Sequence, residues 1–273
     1  MEELFCVLHK DLSYSPEKTA GFLAVERCVS RVEAAAAFRN SPGFLLENAS
    51  LVKASAFNLR ASAFGFETLL LPQKEIKSPP PAFSLSKIEF KADGFYCFSN
   101  NIREQVPFLT VKAVTACALS VEIRPEDSDT FSQLRTDAPQ TAGLKAGIIN
   151  SLRARYFPFA IPLGEKYYRP ALTPPAPARE TVFRADILTG GPAPLRLTLA
   201  CDGHDYSSLG AKKTLSSFEN FRILLEELSS RTSGAVKNAF LRALLEKKTL
   251  GGLKFPSAGA YEKELAWLLT ILP

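Results

Sequence analysis

Three consecutive prolines, within Lys77-Ser78-Pro79-Pro80-Pro81-Ala82-Phe83-Ser84, constrain the fold of this chain more than any other stretch. Each proline fixes φ near the polyproline value and removes a backbone donor, so neither a helix nor a central strand runs through them. The patterning of the sequence changes across this tract. With 273 residues, the chain has room for two ordinary domains that need neither disulfides nor metal. Residues 77–84 are therefore read as a linker. It separates a domain of residues 1–76 from a second domain of residues 85–232, and a helical extension over 233–273 packs on the latter.

The first seventy residues alternate between short apolar runs and helical periodicity. Leu4 to His9 is a buried strand, and Ser15-Pro16-Glu17 opens a helix with a cap, a proline at the first position and an acid in the first turn. Phe22, Val25, Val29 and Val32 continue a helical face to about Phe38, and Ser41-Pro42-Gly43 stops it. After a second strand from Phe44, Ser50 caps a third helix whose apolar residues Val52, Ala56, Leu59 and Ala63 repeat at helical spacing up to Gly65. Phe66 to Leu71 closes the unit. The expectation is a β-α-α-β-α-β sandwich, helices on one face of a three-stranded sheet, with every apolar face satisfied locally so that residues 1–76 fold alone.

The run Lys18 to Leu71, with Pro42 before the second strand, Ser50 opening the third helix and Phe64-Gly65-Phe66 entering the last strand, resembles the C-terminal domain of the bacterial ribosomal stalk protein. The Clp protease adaptor shares that fold. The resemblance covers about a quarter of the chain and concerns fold alone. The basic, glycine-containing surface with which the stalk domain recruits translation factors is changed: Leu23 and Glu26 stand near the positions of basic residues, and Arg27 to Glu33 contains no glycine. What the resemblance implies is a small domain that holds another protein.

Beyond the linker the pattern is that of strands. Asp93-Gly94 joins Lys87-Ile88-Glu89-Phe90 to Phe95-Tyr96-Cys97-Phe98 as a hairpin, and further strands are expected at Val106-Pro107-Phe108, Val111 to Ile123, Thr181 to Leu188 and Leu195 to Cys201. Asp202-Gly203 turns into another over His204 to Leu209. Ser216 and Glu219 have the spacing of a capping box, opening a helix that buries Phe218, Phe221, Leu225 and Leu228. Several strands closed by one helix resemble a pleckstrin-homology-type barrel, over roughly Ser84 to Thr232. Val236, Phe240 and Leu244, then Tyr261, Leu265, Leu268 and Leu272 with Trp267 and Ile271, mark two more helices; the last stripe needs a cover. The fold class expected is α+β: a small sandwich, then a mostly antiparallel barrel or sandwich capped by helices and interrupted by a proline-rich insert at 124–180.

Candidate chemistry is sparse. The five cysteines are widely spaced in apolar runs and read as reduced core thiols of a cytoplasmic protein. Two histidines with no clustered partners make no metal site, and no cofactor-binding motif is present. The start Met1-Glu2-Glu3-Leu4-Phe5 is acidic where a signal peptide is basic, and no apolar run reaches the roughly 20 residues of a membrane span. His204 between Asp202 and Asp205 is the one place where carboxylates flank an imidazole, which points to acid–base work or simply to a polar turn. Arg153, Arg155 and Tyr156, then Tyr168 and Arg169, interleave cations and rings and are the candidate partner-binding residues. A net charge of +5 permits nucleic acid as a partner without arguing for it, and Lys87, Lys91 and Arg103 offer only a scattered basic face. The expected function is a non-catalytic protein-binding or adaptor module. The alternatives are an RNA- or ribosome-associated protein using residues 153–169, and an enzyme using His204.

Overall fold

The structure is a computed structural model and describes residues 3–99, 102–122, 179–191 and 194–272. Phe5–His9 (β1), Phe44–Ala49 (β2) and Thr68–Pro72 (β3) form an antiparallel sheet in the order β2-β1-β3. Pro16–Arg27 (α1), Arg31–Asn40 (α2) and Leu51–Ala63 (α3) cover one face of it. The Ser15 hydroxyl accepts from Lys18 N at 3.2 Å, and Ser30 and Glu33 make a reciprocal capping box that sequence reading missed. α1 ends on Cys28 in the left-handed region, φ 52°. Cys28 is also exposed, whereas the other four cysteines are buried free thiols as expected.

Side chains alternate across β1, so it carries two apolar faces. Val7 meets Phe22, Leu23, Phe38 and Phe57 of the helix layer. Cys6 and Leu8 belong to a separate cluster with Phe44, Trp267 and Leu268. That second face is not satisfied within residues 1–76: its cover comes from the C-terminal helix Ala258–Ile271, numbered α6 below. Burying Leu268 there contributes roughly 1.5–3 kcal/mol.

α3 is rotated relative to the sequence reading. Ala54, Phe57 and Ala61 are buried, while Val52 and Leu59 stand 81% and 71% exposed and Ala56 and Ala63 face solvent with them. The helix is apolar on more than one side. The side carrying the aromatic ring and two small residues approaches the sheet closely, and the side with the longer aliphatic row is left outside.

The strands beyond the prolines form two open sheets rather than a barrel. Lys87–Phe90 (β5), Gly94–Ser99 (β6) and Ile102–Pro107 (β7) make an antiparallel meander, with the Asp93-Gly94 hairpin in place. Ala82–Ser84 (β4), Val111–Glu122 (β8), Arg179–Thr189 (β9), Arg196–Ala200 (β10) and Val236–Lys237 (β11) make a five-stranded sheet in the order β11-β8-β9-β10-β4. Both edge strands, β4 and β11, run parallel to their neighbours, so this sheet is mixed. Its β4 edge uses the end of the proline segment, where Ala82, Phe83 and Ser84 pair with Arg196, Leu197 and Thr198. The α+β class holds; the barrel expectation is corrected, because short parallel edges end the sheet where a barrel would close it.

Ser217–Arg231 (α4) and Ala239–Leu245 (α5) pack on one face of the five-stranded sheet, against Val114, Ala116, Ala185, Ile187 and Leu199. Ser216 caps α4 through Glu219 N at 3.3 Å, but the Glu219 carboxylate turns to Arg222 and does not complete the box. On the opposite face, Ala113, Cys117 and Leu188 meet Tyr261 and Leu265 of α6. α6 therefore lies between two sheets and is shared by both halves of the sequence. The join is also polar: Trp267 donates to the His9 carbonyl at 2.7 Å, Lys263 reaches both Glu47 oxygens at 2.9 Å, and Lys77 N donates to Thr270 at 3.0 Å. Among the described residues no helix is long and apolar enough to cross a membrane.

Gly43 gives this join a sharp test. Its φ is +82°, and an added Cβ would lie 2.1 Å from Cδ2 of Trp267, inside the ring. Gly43→Ala should cost about 2–4 kcal/mol in denaturant unfolding, through both the backbone conformation and the displaced indole. Gly21, inside α1, has nothing within 4 Å of an added Cβ, so Gly21→Ala should instead gain about 0.5–1 kcal/mol.

Candidate binding cleft

Where α2 passes over the start of α5 and the middle of α6, the apolar layers do not close. The gap is a cleft of about 670 Å³. Phe38, Phe240, Trp267 and Leu268 are buried and form its floor, with half-buried Tyr14 beside them. Tyr14 is fixed from several directions: it stacks on His9 at 4.7 Å between centroids and meets Phe38 and Trp267 edge-on at 5.3 and 5.5 Å. His9 in turn shares a hydrogen bond of 3.0 Å with Thr19, and burial pushes its pKa down to about 4, so it sits neutral in the aromatic cluster.

The walls carry charge. α2 lines one side with Arg31, Ala35 and Arg39 at four-residue spacing, one face of the helix; Lys237, Arg242 and Lys254 stand on the other. Five cations thus face two carboxyl groups, Glu17 and Glu264. Arg31, Arg39 and Lys237 enter no ion pair among the described residues. Arg242 donates to the Leu12 carbonyl at 3.1 Å, and Lys254 bonds Thr181 at 3.2 Å.

Glu264 lies at the base, 4% exposed, and accepts from Asn238 Nδ2 at 2.7 Å. Burial pushes its carboxyl up to about 7; the Asn238 hydrogen bond and the nearby Arg242 charge pull the other way and do not win. Burial also raises the Tyr14 hydroxyl pKa, and the Glu264 charge adds to that. The acid is held in place through Asn238, which bonds Ala116 of β8 through both N–H and carbonyl and caps α5 through Leu241 N.

The sites singled out in the sequence lie elsewhere. Arg153, Arg155, Tyr156, Tyr168 and Arg169 fall outside the described residues. His204 does not sit at a hairpin tip: after β10 the chain bends, Asp205 pairs with Lys87 beside β5, and Ser207–Lys212 forms 3-10 turns where a strand was expected. The ring is buried, with Nδ1 3.3 Å from the Leu85 carbonyl, Nε2 buried without a partner among the described residues and its pKa lowered by burial. Asp202 is exposed, and the Asp205 carboxylate bonds Ser207 N and Oγ at 2.8 and 2.9 Å. The carboxylates therefore do not orient the imidazole. Lys87, Lys91 and Arg103 stand over the Tyr96 and Phe98 rings of the meander, Arg103 at 3.8 Å from the Tyr96 centroid. Among the described residues no group of three or more potential metal ligands gathers.

The cleft itself draws on segments spread over 250 residues. One signal for it was present in the sequence: Glu264 occupies the i+3 position of the apolar stripe Tyr261, Leu265, Leu268, where an acid is out of place. No protein-family model, no curated protein and no solved structure matches the chain.

The raised pKa of Glu264 fixes the sign of a pH effect. Between its ordinary 4.5 and about 7 the folded chain holds a proton that the unfolded chain has lost, so this residue's contribution is full below about pH 4.5 and lost as pH rises through 7. Glu264→Gln keeps an acceptor for Asn238 and removes the titration. The variant should match the parent near pH 5 and exceed it by roughly 3 kcal/mol near pH 8, read from urea unfolding at each pH. The opposing contribution of His9 is common to both proteins and cancels in the difference.

Proposed function

We propose that this chain is a non-catalytic binding module of the cytoplasm, an adaptor, and that the cleft between α2, α5 and α6 is its recognition site. The observation that carries the reading is the cleft's construction: an aromatic floor fixed by packing, a rim of cations without ion-pair partners among the described residues, and a volume in the range of small-ligand sites. Its walls are two helices and its base is a third, so a bound group meets rigid elements and needs little ordering. Glu264 is occupied in holding Asn238, which supports retention of a ligand over its conversion. Free thiols at all five cysteines agree with a reducing compartment.

A screen of small aromatic and aliphatic fragments by amide and indole NMR shifts tests this. Bound fragments should perturb Tyr14, Phe38 and the Trp267 indole and be recovered unchanged. Ala35→Trp, which fills the α2 wall, should abolish those shifts while leaving the fold intact. Shifts that map away from the cleft, or fragments that are converted, would overturn the reading.

A second reading, in which the partner is a protein, is favoured by the outer helix layer. Val25 lies exposed there, and α3 adds its outward row of Val52, Ala56, Leu59 and Ala63. The reading draws on the β-α-α-β-α-β order with helices on one face, the feature that the resemblance to the stalk and Clp-adaptor domains rests on. Leu23 is a core residue and Glu26 is paired with Arg60 at 2.8 Å, so the stalk domain's basic surface does not come with it. On this reading Val52→Ser with Leu59→Ser should remove a protein partner recovered with the parent chain and leave thermal stability within about 0.5 kcal/mol. Unchanged recovery excludes that face.

A further inference from the structure

We infer that the occupant of the cleft is a small amphipathic anion, an apolar body carrying one negatively charged group, bound with its body on the aromatic floor and its charge at the rim. The inference rests on the cleft being the recognition site and adds the chemistry of what it takes.

Each wall supports the orientation independently. The floor residues Phe38, Phe240, Trp267 and Leu268 are buried and apolar, so they favour a hydrocarbon or aryl body. Arg31 and Arg39 are exposed on α2, and Lys254 is exposed across from them, so the cations that meet a ligand stand at the mouth. The two arginines stand eight positions apart. At about 1.5 Å of rise per residue that spaces them along the mouth by roughly 12 Å, room for one headgroup to be shared or exchanged between them. A charge placed at the base would meet the carboxyl of Glu264, and Arg242 near it already donates to the Leu12 carbonyl. A neutral body would leave the excess of five cations over two acids unanswered, so charge complementarity favours an anion.

The volume argues for a small molecule over a polypeptide. About 670 Å³ is in the range of small-ligand sites and suits a bicyclic or medium-chain body lying on the buried floor. Carboxylates and phosphate monoesters share the required chemistry, and the arginines accept either.

Trp267 is the sole tryptophan of the chain and forms part of the floor, so its emission reads the site directly. The experiment titrates the full chain with 1-anilinonaphthalene-8-sulfonate and, in parallel, with its uncharged relative N-phenyl-1-naphthylamine. The expected result is one anionic dye per chain, quenching Trp267 and bound about tenfold or more tightly than the neutral dye, with affinity falling as salt is raised. Arg31→Ala with Arg39→Ala should erase that preference while the neutral dye binds as before. Decanoate and decyl phosphate then compete for the site, and whichever displaces the dye at lower concentration identifies the headgroup.

Equal binding of the two dyes, or a preference that survives the double substitution, overturns the anion assignment and leaves the cleft reading standing. Failure of both dyes to alter Trp267 emission overturns the cleft reading as well. Displacement by hexaglutamate and by neither amphiphile would transfer the site to an acidic protein tail and overturn the small-molecule assignment.

Discussion

The side chain of Asn238 makes four hydrogen bonds to three residues on three elements. Its amide donates to the Ala116 carbonyl at 2.9 Å and to Glu264 at 2.7 Å, and its oxygen accepts from Ala116 N at 3.1 Å and Leu241 N at 3.0 Å. A single buried residue thus extends the β8 edge beyond the two-residue strand β11, starts α5 and ties α6 to both. Every donor and acceptor of the amide is used. Losing it would leave a backbone pair, a helix end and a buried carboxyl unsatisfied at once, each worth about 1–3 kcal/mol in desolvation. Because α6 is also the cover of the first sheet, this amide helps to set the position of the cleft floor.

A second polar knot fixes the other side of α6. Asp186, fully buried on β9, accepts from Arg196 at 2.8 Å, from Thr198 at 2.5 Å and from Arg184 at 3.1 Å, and Arg196 passes on to both oxygens of Glu262 at 2.6 Å. Burial opposes the charge of Asp186, but the two guanidinium groups keep its pKa below the usual carboxylate value. Tyr261 adds a 2.7 Å hydrogen bond to Thr115. A buried ion pair is weak evidence for stability, but sliding α6 by one turn would part Glu262 from Arg196 and Glu264 from Asn238. The helix is therefore locked at two heights, by Glu262 against the sheet and by Glu264 against Asn238.

Local grammar in the sequence was a good guide, and sharing between distant parts was not. Ser15-Pro16, Ser50, Gly65, Asp93-Gly94 and Ser216 each mark a boundary within a residue or two, because caps and turns are decided by neighbouring atoms. The face of α3 was misread because Leu51 to Ala63 offers two apolar rows, and periodicity does not say which one meets the sheet. His204 between two aspartates looked like a site because sequence shows adjacency and conceals direction: the ring turns inward and the carboxylates do not. The cleft was invisible for the opposite reason. Tyr14, Phe38, Asn238, Phe240 and Trp267 each have an ordinary place in their own element, and only the acid in the α6 stripe is odd by itself.

The first sheet and its cover are separated by almost the whole length of the chain, from Leu8 to Trp267. A ribosome adding about 5–20 residues per second needs on the order of 10 to 50 s to make the intervening stretch. During that time Cys6, Leu8 and Phe44 have no tryptophan to sit under, and the nascent N-terminal unit presents an apolar sheet face to the crowded space around the exit tunnel. Synthesis of this protein therefore carries a fixed delay between forming a hydrophobic surface and hiding it, a window in which holding chaperones have something definite to hold.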